Sequence, residues 1–163
     1  MPKLSRRING IALFLVQHGK SLPKDVDPDQ GLSKEGIAEV EHIANVAQNY
    51  SIHISQINHS VKTRARQTAE IFASTLKPSG GIHERSGLKP LDDVIVIADT
   101  IGSKDNLMLV GHLPFMERLT AYLITGSVEK AVFKFQNGGI VCLDKDPDTQ
   151  SWIIKWTLMP NIG

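Results

Sequence analysis

The run "IALFLVQ", Ile11 to Gln17, is apolar at nearly every position, lies between Gly10 and Gly19, and stops on a histidine, His18. Such a run does not alternate in polarity, so it predicts a strand covered on both faces, the signature of a central strand in a parallel sheet. "NLMLVGH", Asn106 to His112, repeats the arrangement with Gly111 and His112 at its end. Two strands of this kind commit the chain to helices on both sides of a sheet.

The segments between them supply those helices. "KSLPKDVDPDQG" has no periodicity and reads as a surface loop. Ser33 then opens "SKEGIAEVEHIANVAQNY", where Ile37, Val40, Ile43, Ala44 and Ala47 recur at helical spacing. "IHISQIN" predicts a second strand, and Ser60 is placed to cap a helix over "VKTRARQTAEIFASTLK", stopped by Pro78, Ser79, Gly80 and Gly81. A short "IHE" element, a helix over "LDDVIVIADTI" and a helix started by Pro114 over "FMERLTAYLITG" follow. "AVFKFQNGGIVCLD" alternates around Asn137-Gly138, a hairpin signal, and "SWIIKWTLM" alternates again. The order is β-α-β-α-(β)-α-β-α-β-β-β. It predicts an α/β fold, a three-layer α/β/α sandwich whose central sheet is mostly parallel with antiparallel strands added late.

Length and charge narrow the function classes. At 163 residues, 41% hydrophobic and 21% charged, one domain is expected to span 1–163, with residues 1–9 as a short leading arm. A net charge of +1 gives no global field for nucleic acid or an anionic membrane, so neither is expected as a partner. Lys3, Arg6 and Arg7 mimic the start of a signal peptide, but the apolar run after them is too short and no small-residue cleavage site follows. The single cysteine, Cys142, cannot form an internal disulfide, and the expectation is a reduced, cytoplasmic protein.

In an open α/β sheet, ligands bind beyond the carboxyl ends of the strands. Three strands deliver polar groups there: Gln17 and His18, then Ser60 and Arg64, then Gly111 and His112. Two imidazoles and a guanidinium suit a tetrahedral oxyanion. Arginine offers a fork of donors matched to phosphate oxygens, a protonated histidine adds a charged donor, and a deprotonated imidazole can attack phosphorus. No metal site is expected, because histidines 18, 42, 53, 59, 83 and 112 form neither an HxxxH pair nor HExxH. His42, His53 and His83 read as surface or half-buried residues, while His59 adjoins the edge. Arg66 is spaced to pair with Glu70; Lys20, Lys62 and Ser21 lie near the edge. Trp152 and Trp156, four apart, fall on one face of a late strand and read as core packing.

"LVQHG", "HSVKTRARQTAEIF", "GLKPLDD" and "LMLVGHLPF", in that order, resemble the SixA-like phosphohistidine phosphatases, a short branch of the histidine phosphatase superfamily that includes the phosphoglycerate mutases. The resemblance runs from about Ile11 to Pro160. It implies a phosphoglycerate mutase-like fold, no cofactor, and a phosphatase that forms a phosphohistidine on itself. His18 matches the phosphate-accepting histidine, with Gly19 completing the motif. Arg64 matches the phosphate-binding arginine, His112 the second histidine, and Ser60 opens the helix that places Arg64 and is expected, with Gln17 and Gly19, to bind the phosphate.

Two departures shape the expected substrate. Gln17 stands where the superfamily has arginine, so one phosphate-clamping charge is missing. Gly87 falls in the register of the glutamate that serves as general acid on sugar phosphates. Asp92 and Asp93 stand as candidate acids, with a solvated helix N-terminus the other reading. An alkoxide needs a proton to leave, whereas imidazole, with a pKa of about 6.5, leaves phosphohistidine already protonated near neutral pH. The resemblance therefore implies action on a phosphorylated protein such as a histidine phosphotransfer domain. A phosphate-binding module without turnover and a small-molecule phosphomonoesterase are the alternatives.

Overall fold

The computed structural model describes residues 12–101 and 105–162; the expected leading arm, and Ile11 at the start of the first run, lie outside them. Ten elements follow one another: β1 (Leu13–Gln17), α1 (Lys34–Asn49), β2 (Gln56–His59), α2 (Thr63–Leu76), β3 (Ile82–Glu84), α3 (Val94–Ile101), β4 (Leu107–Gly111), α4 (Phe115–Thr125), β5 (Ile140–Lys145) and β6 (Trp152–Leu158). They build one six-stranded sheet in the order β3-β2-β4-β1-β5-β6. β3, β2, β4 and β1 run parallel, while β5 pairs antiparallel with β1 and with β6.

Helices cover both faces, as the unalternating runs require. On one side Val40, Ile43, Ala44 and Ala47 of α1 and Ala65, Ala69 and Phe72 of α2 pack against Phe14, Val16, Met108 and Val110. On the other, Val94, Ile97 and Ile101 of α3 and Phe115, Met116 and Leu119 of α4 pack against Leu13, Leu15, Leu107 and Leu109. Successive residues of β1 and β4 thus feed two separate cores, so neither strand has a polar face to show. Among the described residues, no helix is long and apolar enough to cross a membrane.

The late segment differs from its expected form. Residues 131–136 form no strand, and Asn137-Gly138 is not the turn of a two-stranded hairpin. Both edges of β5 are already taken, by β1 and β6, so a strand over 131–136 could not pair with β5 as a hairpin requires. Instead Phe135 is buried in the α4-side core, with Phe133 edge-on against it at 5.8 Å. Trp152 and Trp156 also part company. A register shift between Cys142 and Leu143 bulges β6 at Lys155, and one extra residue flips the side chains beyond it. Trp156 therefore packs on Phe14 at 5.9 Å in the α1-side core, and Trp152 joins the opposite core.

The loop between β1 and α1 is fastened by a backbone approach. Ser33 caps α1 by accepting the Gly36 N–H at 3.0 Å. Gly36 lies so close to the Lys20 backbone that a Cβ there would stand 2.1 Å from the Lys20 carbonyl oxygen. Only glycine lets the helix start abut the chain just past His18.

Candidate active site

β4 lies between β2 and β1 and runs parallel to both, so the three strands end at the same edge and the polar residues following them meet there. Ladder bonds continue past the strands: His18 N–H donates to the Gly111 carbonyl at 2.9 Å, and Ser60 N–H to that of Val110 at 3.0 Å. The imidazoles of His18 and His112 stand 5.0 Å apart, centroid to centroid. Arg64, from the first turn of α2, points Nε at His18 Nε2 from 3.3 Å.

His18 is held in a defined tautomer. A carbonyl can only accept, so Nδ1, 2.7 Å from the Gly19 oxygen, carries the proton and Nε2 presents a lone pair. Burial, opposed by that bond and assisted by the Arg64 charge, pushes the His18 pKa down to about 4. The lone pair is therefore available at neutral pH. Gly19 N–H is spent on Thr68 Oγ1 at 3.0 Å, and that hydroxyl donates to the Arg64 carbonyl at 2.7 Å. Thr68 thus ties the loop of the nucleophile candidate to the turn that carries the guanidinium.

His112 is buried, with Nε2 2.6 Å from Ser60 Oγ. Burial first, then the fields of His18, Arg64 and Lys62, push its pKa down to about 3. The expected protonated donor is thus a neutral imidazole here, because a second cation beside Arg64 is disfavoured in a desolvated corner. His112 Nδ1 and Gln17 Oε1 are both buried without a hydrogen-bond partner among the described residues. Each such atom costs about 1–3 kcal/mol, a cost typical of functional sites.

Ser60 does not cap α2. The helix begins at Thr63 with Lys62 as its N-cap, and the Ser60 hydroxyl accepts the Lys62 N–H at 3.2 Å while contacting His112. His59 is buried and donates Nδ1–H to the Ser60 carbonyl at 2.8 Å, steadying the serine backbone. His42, His53 and His83 are exposed. Arg66 pairs with Glu70 at 3.8 Å. Asp92 and Asp93 each accept a local backbone N–H, from Lys89 and Ile95 respectively, at 2.9 Å. They line a cleft of about 440 Å³ with Val61, Arg85 and Val96.

One participant escaped the sequence reading. Asn137 Nδ2 donates to the His18 carbonyl at 2.9 Å, and Gly138 N–H donates to that of Gln17 at 2.8 Å. The turn between α4 and β5 therefore clamps the Gln17-His18 backbone from across the sheet. An Asn-Gly pair is also the strongest hairpin signal, and that reading masked the clamp.

A half-buried imidazole whose unprotonated Nε2 faces a guanidinium, with a second imidazole beside it, lies at an α/β sheet edge, a set of groups whose chemistry suits a phosphoryl-like oxyanion. The histidine phosphatase superfamily (branch 1) model matches residues 13–92, which carry His18, Ser60 and Arg64. No curated protein matches the sequence. The fold is similar to that of the protein histidine phosphatase SixA complexed with tungstate, with a TM-score of 0.78, 23% identity, and 91% of this chain and 97% of that one covered. It is similar also to a protein assigned as the phosphohistidine phosphatase SixA of Agrobacterium tumefaciens (TM-score 0.74, 25% identity, 92% and 98% covered). A third similar fold is a phosphoserine phosphatase from Entamoeba histolytica in complex with 3-phosphoglyceric acid (TM-score 0.66, 14% identity, 90% and 96% covered). The match to the histidine phosphatase superfamily model, together with these similar folds, indicates a phosphatase.

Proposed function

We propose that this chain, acting as a single domain, removes phosphate from phosphohistidine on a protein through a phospho-His18 intermediate. The observation that carries the reading is the His18 tautomer: Nδ1–H on the Gly19 carbonyl, Nε2 unprotonated beside Arg64. His18 Nε2 attacks phosphorus in line and the P–N bond to the substrate imidazole breaks. The bonding pair goes to the substrate nitrogen, which leaves protonated. Water then attacks phospho-His18, the pair returns to Nε2, and inorganic phosphate departs with the proton balance taken up by solvent. Arg64 holds non-bridging oxygens throughout, with His112 and the Gln17 amide completing the cradle and Ser60 fixing the His112 ring.

The carboxylates support a P–N rather than a P–O substrate. Asp92 and Asp93 spend oxygens on backbone N–H groups at the start of α3, the solvated-terminus reading, and imidazole needs no strong acid to leave. Incubation with a phosphorylated histidine phosphotransfer domain is the test, with mass spectrometry at alkaline pH to trap the intermediate. Release of phosphate and a +80 species on His18, of about the mass expected for one phosphoryl group, support the reading. Unchanged release by His18→Ala overturns the mechanism. Binding without release identifies a recognition module, and preferred turnover of simple monoesters identifies a small-molecule phosphatase.

A further inference from the structure

A charge count at the sheet edge leaves a deficit. A phosphoryl group carries −1.5 to −2 near neutral pH (about −2 above its second pKa), while His18 and His112 are neutral and Gln17 has no charge. Arg64 is then the one formal cation touching His18 among the described residues. Backbone donors do not make up the difference, since His18 N–H is used by Gly111 and Gly19 N–H by Thr68.

Two lysines lie near enough to consider. Lys20 is committed elsewhere: its ammonium contacts Glu35 at 2.7 Å and Glu39 at 3.3 Å. Lys62 has no ion-pair partner among the described residues, is exposed, and sits two residues from Arg64 with its N–H on Ser60 Oγ. Its charge is close enough to weigh on His112. Its position is also unfavourable for the helix. Lys62 is the N-cap of α2 and makes no side-chain capping bond, and the first turn, which carries Arg64 and Arg66, contains no acid. Cations at a helix N-terminus oppose the macrodipole, and with Arg66 paired to Glu70 the end of α2 leaves Lys62 and Arg64 as positive charge that a bound anion would relieve.

We propose that Lys62 is the second cation of the phosphate site, its flexible ammonium closing on the non-bridging oxygens and replacing the charge that Gln17 lacks. The inference rests on the reading of this edge as a phosphoryl site. It assigns Lys62 as a substrate-binding residue that a point charge on a mobile stem suits, since the oxygens move as phosphorus inverts.

The test compares wild type, Lys62→Met, Lys62→Arg, Gln17→Arg and the Gln17→Arg/Lys62→Met double variant. Each is assayed for phosphoramidate hydrolysis and for inorganic phosphate affinity by calorimetry, with His18→Ala as the blank. Lys62→Met is expected to lose about 10²-fold in kcat/KM and to bind phosphate at least tenfold more weakly, without a fall in Tm, while Lys62→Arg stays near wild type. Gln17→Arg restores most of the loss in the double variant and adds less to the wild type. Phosphate affinity and kcat/KM of Lys62→Met within twofold of wild type, or a loss that Gln17→Arg fails to restore, overturn the assignment. A His18→Ala protein as active as wild type overturns the phosphoryl-transfer reading instead. Should the wild type not turn over phosphoramidate, the phosphate affinities decide the role of Lys62 by themselves.

Discussion

Both imidazoles at the sheet edge are kept neutral by burial, and this has a cost that depends on pH. Each titrates near 6.5 when unfolded, and at about 4 (His18) or about 3 (His112) when folded. Between those values the unfolded chain binds more protons, so the stability tied to the neutral rings is full above pH 6.5 and drains away as pH falls. Tm is expected to drop between pH 6.5 and 4, and His112→Asn to flatten that drop; a scan of Tm against pH checks it. Asn137 acts on the same ring through the backbone. Asn137→Ala leaves the His18 carbonyl without its donor, and kcat is expected to fall roughly tenfold, about the equivalent of one lost hydrogen bond. Single-turnover phosphorylation of His18 measures it.

The elements were legible where the physics is local. Unbroken apolar runs announced β1 and β4, and the 3.6-residue spacing of Val40, Ile43, Ala44 and Ala47 announced α1. The convergence of His18, Arg64 and His112 was legible because each follows a strand that ends at one edge. What failed depended on distant partners. Residues 131–136 alternate like a strand, but nothing in them reveals that both edges of β5 are occupied. The bulge at Lys155 is likewise invisible in "SWIIKWTLM", and it sends two tryptophans to opposite cores. Ser60 carried a capping residue's chemistry, yet its partner is His112, 52 positions away. Gly36 shows the same dependence on distance, since its lack of a side chain is explained by Lys20. Gly36→Ala is expected to destabilise by about 1–3 kcal/mol, an overpacking cost, and to lower activity by shifting the loop after His18. Chemical denaturation alongside a kinetic assay separates the two effects.

At the scale of the molecule, the sheet interleaves the two halves of the chain. β1 and β2 are not neighbours; β4 lies between them, and β5 flanks β1 on its other side. A fragment covering 12–92 holds His18, Ser60 and Arg64, yet it lacks both partners of β1. It is expected to show no cooperative unfolding transition by circular dichroism and no phosphate binding by calorimetry, whereas the chain containing β4 and β5 shows both.

The same interleaving sets a timetable for synthesis. "LFLVQ" leaves the ribosome first and cannot be paired until Leu107–Gly111 follows, on the order of ten seconds later at ~5–20 residues per second. For that interval a strand apolar at four of its five positions is unpaired on both sides, open to other nascent chains. The residue order that carries His18 to the edge of the finished sheet on an inner strand therefore leaves that strand without a partner during translation, a surface for chaperones to shield.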